Sequence, residues 1–264
     1  MDNRPIGVFD SGVGGLSIWR AIRKLLPQES MDFLADSGNV PYGEKSTAQL
    51  HDLTSRIARF LIGIDAKLIV VACNTATVHS IAHLRERFPD TPFVGVVPVV
   101  KTLANRTKTG TIAVLSTPAT SKSPYLEGLI REFAPDKNVV NIGCEGLENA
   151  IESGQVRTRS TTALLERHLA QVKDSDADVV GLGCTHYPFL RGQIKSMLGP
   201  GVTLYDPSRP VARRVRQVLA ERDGFAQNDN PIFRFYTTGN AEVVRSVASK
   251  LLRLPVDHVE HVDL

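Results

Sequence analysis

Two stretches that end in a cysteine determine how this chain is read as a fold. The first is Leu68-Ile69-Val70-Val71-Ala72-Cys73-Asn74-Thr75, and the second is Val179-Val180-Gly181-Leu182-Gly183-Cys184-Thr185-His186. Both begin with an apolar run that lacks two-fold alternation, which is typical of a parallel strand covered on both faces. Each cysteine is therefore predicted to lie at the carboxyl end of a buried strand, with a helical pattern after it.

Strand-like and helix-like segments alternate on both sides of these stretches. The predicted strands are residues 5–9, 31–36, 67–72, 92–97, 111–115, 138–142, 178–183, 202–205 and 232–237. The predicted helices are residues 14–26, 46–63, 75–88, 123–134, 145–153, 159–173, 188–198, 209–222 and 240–252. This alternation predicts an α/β fold with mostly parallel sheets and crossover helices.

The two halves of the chain resemble each other. Each contains one cysteine stretch and a first loop rich in small residues, Asp10-Ser11-Gly12-Val13-Gly14-Gly15 in one half and Ser116-Thr117-Pro118-Ala119-Thr120 in the other. We predict two pseudo-symmetric, doubly wound lobes, residues 1–98 with 208–264 and residues 99–207. The carboxyl ends of their strands are expected to face one cleft, which would hold the active site.

Composition excludes several classes of protein. The chain has 264 residues, 42% hydrophobic and 22% charged, with a formal net charge of +3. These values argue against disorder and against nucleic acid as a partner. The sequence contains no apolar run of about 20 residues, so no membrane span is predicted. A first strand close to the N-terminus leaves no room for a signal peptide, and an odd number of cysteines fits reduced thiols, so a cytoplasmic location is expected.

The polar neighbours of Cys73 and Cys184 argue against inert packing. A thiol before a helix N-terminus lies where backbone N–H groups favour the thiolate. The two cysteines are 111 positions apart and form no CxxC pair, so neither a redox pair nor a zinc site is predicted. The pattern instead predicts two opposed acid/base groups, as a racemase without cofactor or metal requires. Cys144 is interpreted as structural.

Three other features of the sequence, two loops and His186, each allow two interpretations. The loop of residues 10–15 is either an anion-binding turn or a tight strand-to-helix connection, and Asp10 either serves Cys73 or caps the helix. The turn Pro41-Tyr42-Gly43 offers a hydroxyl and a backbone N–H, or serves packing. His186 either protonates a ligand or forms a structural hydrogen bond.

Taken together, these motifs resemble those of the glutamate racemases, within the cofactor-independent aspartate/glutamate racemase superfamily. The resemblance rests on residues 9–15, 36–37, 41–43, 72–76 and 183–188, and a His after Cys-Thr indicates the glutamate enzymes. It implies interconversion of L- and D-glutamate for peptidoglycan synthesis.

The resemblance also implies roles for single residues. Cys73 would take the proton from D-glutamate with help from Asp10, and Cys184 would take it from L-glutamate with help from His186 and Glu152. The implied substrate-binding residues are Asp10, Ser11, Pro41, Tyr42, Gly43, Cys73, Asn74, Thr75, Thr117, Thr120, Cys184, Thr185 and His186. A homodimer is expected, with glutamate as the small-molecule partner.

Two segments depart from the family pattern. Residues 144–152 are more polar than the usual stretch, which weakens the assignment of Glu152, and residues 206–210 differ from the usual Asp-Ser start. Two alternatives remain open, an aspartate or hydantoin racemase and a non-catalytic protein that binds a small anion.

Overall fold

The computed structural model describes residues 1–96 and 99–264. The chain forms two compact units, one made of Met1–Val96 with Ser208–Leu264 and the other of Val97–Pro207. The predicted domain boundary at Pro98 lies outside the described residues and stays a prediction.

The elements follow one another in the predicted alternating order. The strands are β1 (Ile6–Asp10), β2 (Met31–Ala35), β3 (Leu68–Val71), β4 (Phe93–Gly95), β5 (Thr111–Ser116), β6 (Asn138–Gly143), β7 (Val179–Leu182), β8 (Thr203–Tyr205), β9 (Phe233–Thr237) and β10 (Glu260–His261). The α-helices are α1 (Leu16–Leu25), α2 (Thr47–Gly63), α3 (Asn74–Arg87), α4 (Val100–Ala104), α5 (Pro118–Ser121), α6 (Pro124–Phe133), α7 (Leu147–Glu152), α8 (Arg159–Lys173), α9 (Arg191–Leu198), α10 (Ser208–Glu221) and α11 (Ala241–Leu252).

Both sheets are parallel, as predicted. The first unit has a six-stranded sheet in the order β10-β9-β2-β1-β3-β4, and the second has a four-stranded sheet in the order β6-β5-β7-β8. Every strand pair in both sheets is parallel. The orders β2-β1-β3-β4 and β6-β5-β7-β8 match, so the two units share one topology, to which the first adds β9 and β10.

This topology decides where the cysteines lie. Crossovers leave in opposite directions from the first and third strands of each unit, and a ligand crevice forms at that switch point, beyond the carboxyl ends. Cys73 follows β3 and Cys184 follows β7, each the third strand of its unit. Both thiols therefore stand at the switch point of their own sheet.

The strands near these positions are buried on both faces. All residues of β1, β3 and β7 are buried, which explains why their sequences lack alternation. In the first unit, Cys73 and Tyr42 belong to a core cluster that includes Phe9, Val71 and Ala76. These two functional candidates are thus embedded in the packed core of the unit.

The predicted elements agree with the structure to within a few residues, with three kinds of difference. The predicted helix 188–198 begins as a 3₁₀ turn, Tyr187–Leu190, and becomes α-helical only at Arg191. The short elements α4, α5 and β10 were not predicted. The predicted strand 92–97 is shorter in the structure, where β4 ends at Gly95, and residue 97 lies outside the described residues.

None of the helices in the described ranges combines the length and the apolar character that crossing a bilayer requires.

Candidate active site

Cys73 forms the junction between β3 and α3. Its backbone is extended, and it is the N-cap residue of α3, with its sulfur accepting a hydrogen bond from the Ala76 N–H at 3.5 Å. The thiol in turn donates to the Ser11 hydroxyl, with 3.7 Å between sulfur and oxygen. The apolar strand and the helix start thus hold the thiol between a backbone donor and a hydroxyl.

Ser11 links this thiol to a buried carboxylate. Asp10 ends β1 and is fully buried, and its Oδ1 accepts hydrogen bonds from the Ser11 backbone N–H at 2.7 Å and from the Ser11 hydroxyl at 3.2 Å. A chain of hydrogen bonds therefore runs from the Cys73 thiol through Ser11 to Asp10. The structure brings these three predicted site residues together at one switch point.

Burial governs the protonation of Cys73. It raises the pKa of the Cys73 thiol well above its ordinary value, and the nearby Asp10 charge raises this pKa further. The hydrogen bonds from Ala76 and Ser11 lower the pKa by less. The helix N-terminus, which is visible in the sequence, favours the thiolate, but desolvation of the charged form is the larger effect.

The loop between Asp10 and α1 is tightly packed at Gly15. A Cβ atom added to Gly15 would lie 2.7 Å from the Asp10 Cβ and 3.1 Å from the Ala72 Cβ. No side chain fits there, so the glycine lets the start of α1 approach β1 and β3. This observation accounts for Gly15 by close backbone approach.

Tyr42 directs its hydroxyl to Asp36. The ring is buried, and its hydroxyl donates to Asp36 Oδ2 at 2.5 Å. The other Asp36 oxygen accepts from the Asn39 side chain at 2.8 Å and from the Thr238 hydroxyl at 2.6 Å. Burial, followed by the charge of Asp36, raises the pKa of Tyr42 well above its usual value, so the phenol stays a donor.

The remaining predicted residues of the first unit flank this core. Pro41, which follows a cis peptide bond, and Gly43 are exposed on either side of Tyr42. Asn74 and Thr75 are half-buried and form the first turn of α3, directly after Cys73.

In the second unit, Cys184 lies beside an imidazole and a carboxylate. The Cys184 sulfur is 3.4 Å from His186 Nδ1, and His186 Nε2 is 2.5 Å from Glu152 Oε1. Cys184 and His186 are buried, whereas Glu152 is partly exposed at the end of α7. Glu152 therefore reaches the site despite the atypical segment that precedes it.

Neighbouring groups act against the effect of burial on the pKa values of Cys184 and His186. Burial raises the pKa of the Cys184 thiol, and the Glu148 carboxylate adds to the rise, while His186 acts in the other direction. Burial alone would lower the pKa of His186, but Cys184 and Glu152 together hold it well above the ordinary value. The imidazole is thus matched to two partners that can each carry negative charge.

Glu148 is a residue of this site that the sequence argument missed. One of its carboxylate oxygens, the Cys184 sulfur and a ring nitrogen of His186 all lie within 4.8 Å of one another. Glu148 and Glu152 are spaced i, i+4 and share one face of α7. That spacing was a usable signal once Glu152 had been chosen as a candidate.

The threonines of the second unit divide into two settings. The Thr117 hydroxyl caps α5, accepting from the Thr120 N–H at 3.3 Å and donating to the Thr120 hydroxyl at 3.0 Å. Thr185 is buried between Cys184 and His186.

Cys144, the third cysteine, is buried as well, and burial raises its pKa to about 12.

The chain is similar in sequence to known proteins of one family. The sequence model of the Asp/Glu/Hydantoin racemase family matches residues 17–215. The glutamate racemase of Roseiflexus sp. strain RS-1 is 42% identical over 260 residues, which cover 97% of this chain and 95% of that protein. The glutamate racemase of Ectopseudomonas mendocina is 41% identical over 94% of each chain.

Solved structures agree with these relatives. A glutamate racemase isoform from Bacillus anthracis superposes with a TM-score of 0.89 at 33% identity, covering 100% of this chain and 99% of that one. The glutamate racemase of Francisella tularensis, solved in complex with D-glutamate, has a TM-score of 0.86 at 32% identity, covering 100% and 98%. The Escherichia coli glutamate racemase, in complex with L-glutamate and an activator, has a TM-score of 0.86 at 32% identity, covering 98% of each chain.

Proposed function

Because the chain belongs to the Asp/Glu/hydantoin racemase family, we propose that it is a glutamate racemase, an isomerase that works without a cofactor. Its relatives named glutamate racemase match over almost their whole length. Two solved relatives hold D-glutamate and L-glutamate, the substrate and product that we propose here. The product D-glutamate would supply peptidoglycan synthesis.

One observation carries this proposal: each unit places a buried thiol at the end of its third strand and connects it to a carboxylate. In the first unit the connection runs from Cys73 through Ser11 to Asp10. In the second it runs from Cys184 through His186 to Glu152. A thiol that is connected by hydrogen bonds to a proton acceptor can serve as a general acid and, after losing its proton, as a general base.

Inversion of an amino acid needs two such groups. One must take the α-proton from one face of the carbon, and the other must deliver a proton to the opposite face. We propose that Cys73 takes the proton from D-glutamate and Cys184 takes it from L-glutamate. In either direction one sulfur starts as thiolate and ends as thiol, while the other does the reverse, so that protons balance over a turnover.

The raised pKa values of the two thiols fit this chemistry. The α-proton is a weak acid, and a base with a raised pKa is a stronger base once it is deprotonated. Asp10 would hold the Cys73 proton through Ser11, and Glu152 would stabilise the imidazolium of His186 when it holds the Cys184 proton. The first N–H groups of α3 and the side chains of Asn74 and Thr75 would stabilise the carboxylate and the carbanionic charge.

Deuterium exchange tests the reaction. In deuterated water the protein should incorporate deuterium at the α-carbon of either glutamate enantiomer with no added cofactor. Glutamate binding without exchange would instead indicate a non-catalytic anion binder, and a requirement for pyridoxal phosphate or a metal would contradict the mechanism. A panel with aspartate and hydantoins separates the related racemases.

Cysteine variants test the assignment of the thiols. Cys73→Ser and Cys184→Ser should each lower racemisation by at least about 100-fold, since general acid/base groups contribute about 10²–10⁴-fold. Cys144→Ser is the matched control because its thiol is buried but belongs to neither chain of hydrogen bonds. Near-normal racemisation by either of the first two variants would remove that thiol from the mechanism.

Two further expectations belong to the same proposal. A homodimer should be seen by sedimentation, and a monomer at micromolar concentration would contradict it. A cytoplasmic location is proposed because D-glutamate would be consumed in peptidoglycan precursor synthesis, and cell fractionation tests it.

A further inference from the structure

The three ligand atoms around Cys184 have the chemistry of a zinc site. Glu148, Cys184 and His186 supply a carboxylate oxygen, a sulfur and an imidazole nitrogen within 4.8 Å of one another. Among residues 1–96 and 99–264, no other group of three such ligand atoms is as close. Mixed sulfur, nitrogen and oxygen ligands are typical of Zn²⁺, which takes four ligands in a tetrahedron.

The distance between sulfur and nitrogen matches that geometry. With Zn–S and Zn–N bonds of about 2.3 and 2.0 Å, a tetrahedral ion holds these two ligands about 3.5 Å apart. The Cys184 sulfur lies 3.4 Å from His186 Nδ1. A zinc ion would thus take the place of the proton that the two atoms share, without moving either side chain far. The Glu148 oxygen, which lies within 4.8 Å of the other two ligand atoms, would complete three protein ligands by approaching to about 3.5 Å from them.

Glu152 prepares His186 for this role. Its carboxylate is 2.5 Å from Nε2, the ring nitrogen that points away from Cys184. In the neutral imidazole the Nε2 proton is then donated to Glu152, which leaves the Nδ1 lone pair directed at the sulfur. Histidines that bind zinc commonly donate their second ring N–H to a carboxylate in this way, which sets the tautomer and the ring orientation.

Charge balance also favours the ion. A Cys184 thiolate and a Glu148 carboxylate carry two negative charges, and His186 is neutral when its Nδ1 lone pair binds metal. Together with Zn²⁺ these three ligands are electrically neutral, and the further negative charge of Glu152 lies on a side chain that is 20% exposed. Cys184 is only 5% exposed, and pairing its thiolate with a cation avoids the cost of an uncompensated buried charge.

We propose that Glu148, Cys184 and His186 form an inhibitory site for a thiophilic divalent cation such as Zn²⁺. Binding releases the Cys184 proton to solvent and leaves the sulfur bound to the ion. The ion is not a cofactor, since it occupies the thiol that the reaction uses. The binding itself rests on geometry, whereas the inhibition rests on the proposed racemase function. Mg²⁺ and Ca²⁺ prefer oxygen ligands and should not compete.

Spectroscopy tests the binding without relying on activity. Metal-stripped, reduced protein titrated with Co²⁺ should develop one sulfur-to-cobalt charge-transfer band per chain, and Zn²⁺ but not Mg²⁺ should remove the band. Cys184→Ala should abolish it. Glu148→Gln and His186→Gln should weaken Co²⁺ binding by at least about 10-fold, and Glu152→Gln should weaken it by about 10–100-fold through His186.

Two controls separate this proposal from the proposed function. Cys73→Ala and Cys144→Ala should keep the full charge-transfer band, although Cys73→Ala should be inactive as a racemase. A band that persists in Cys184→Ala, or no band at millimolar Co²⁺, would overturn the metal site and leave the racemase assignment standing.

Inhibition is tested by a second titration. Zn²⁺ should inhibit the wild-type racemase reversibly, with activity restored by a chelator. Glu148→Gln, normalised to its own activity without metal, should need at least about 10-fold more Zn²⁺ for the same inhibition. Equal sensitivity of wild type and Glu148→Gln would remove Glu148 from the ligand set.

Discussion

Glu152 Oε1 lies 2.5 Å from His186 Nε2, although 34 positions separate the two residues in the chain. This contact directs the opposite nitrogen of the ring to the Cys184 sulfur at 3.4 Å. At the matching place in the first unit, the Ser11 hydroxyl connects Cys73 to Asp10. The two thiols therefore share a design, a sulfur connected to a carboxylate, but differ in the group between them.

Replacing Glu152 by Gln should lower kcat by about 10–100-fold with little change in KM, because a neutral amide no longer stabilises protonated His186. Glu152→Asp should recover part of the loss. Glu166→Gln is the control, as Glu166 is exposed on α8. Racemisation followed by circular dichroism gives both kcat and KM. A Glu152→Gln variant with wild-type kcat would show that the contact is only structural.

Gly15→Ala should destabilise the protein by about 1–3 kcal/mol, as overpacking does. The added Cβ would lie 2.7 Å from the Asp10 Cβ, so racemisation should fall with stability. Gly63→Ala is the matched control, since a Cβ there meets no atom within 4 Å. Urea unfolding of both variants provides the comparison, and equal stability of the two would contradict the packing argument.

The buried ion pair of Lys67 and Glu29 supports a stability prediction. Lys67 Nζ lies 2.6 Å from Glu29 Oε2, and both side chains are 2% exposed. Lys67→Met should cost about 3–5 kcal/mol, because it leaves a buried carboxylate without its partner. The double variant Lys67→Met with Glu29→Gln should be more stable than Lys67→Met alone.

A surface pair provides the control for that prediction. Lys137 Nζ lies 2.7 Å from Asp136, whose side chain is 71% exposed, and Lys137→Met should cost much less stability than Lys67→Met, because solvent screens the pair. If the two lysine variants lost equal stability in urea unfolding, burial would not be the source of the effect.

Cys144 should make the protein lose stability at alkaline pH. Burial raises its pKa from 9.0 to about 12. Between these values the unfolded chain has released this proton and the folded chain keeps it, so the free energy of unfolding falls as pH rises. At pH 10 the loss amounts to about 1–2 kcal/mol.

Cys144→Ala tests this pH dependence. The variant should lose less stability than wild type between pH 7 and pH 10, measured by urea unfolding in reducing buffer. Its own packing cost is the same at both pH values and cancels in the difference. Parallel pH profiles of wild type and Cys144→Ala would show that the folded thiol titrates normally.

Much of the fold could be predicted from local patterns. The predicted helix 159–173 has the bounds of α8, and the predicted strand 31–36 differs from β2 by one residue, because apolar periodicity and caps act within a few residues. The two-residue strand β10 could not be predicted, since it pairs with β9 at the edge of the sheet and this pairing depends on where the chain returns.

The candidate site also combines residues that local sequence patterns indicate with contacts that depend on tertiary packing. Cys73 and Cys184 could be chosen from sequence because strand ends before polar residues are local signals. Glu148 shares a face of α7 with Glu152, which is a local signal, but its position beside Cys184 depends on how α7 packs near the segment that follows β7. The helix start after Cys73 is visible in the sequence, whereas the depth of burial that raises the pKa of this thiol is not.

The sequence by itself determined the alternating α/β order, the strand-end position of both thiols and the family resemblance that the comparisons support. The resemblance also implied Asp10 for Cys73, and His186 with Glu152 for Cys184. Only the tertiary structure decided the contacts that connect them, through the Ser11 hydroxyl in the first unit and between His186 Nε2 and Glu152 in the second. The physical reason is the distance along the chain over which each interaction acts. Secondary structure depends on neighbouring residues, whereas hydrogen bonds and desolvation depend on segments brought together by packing.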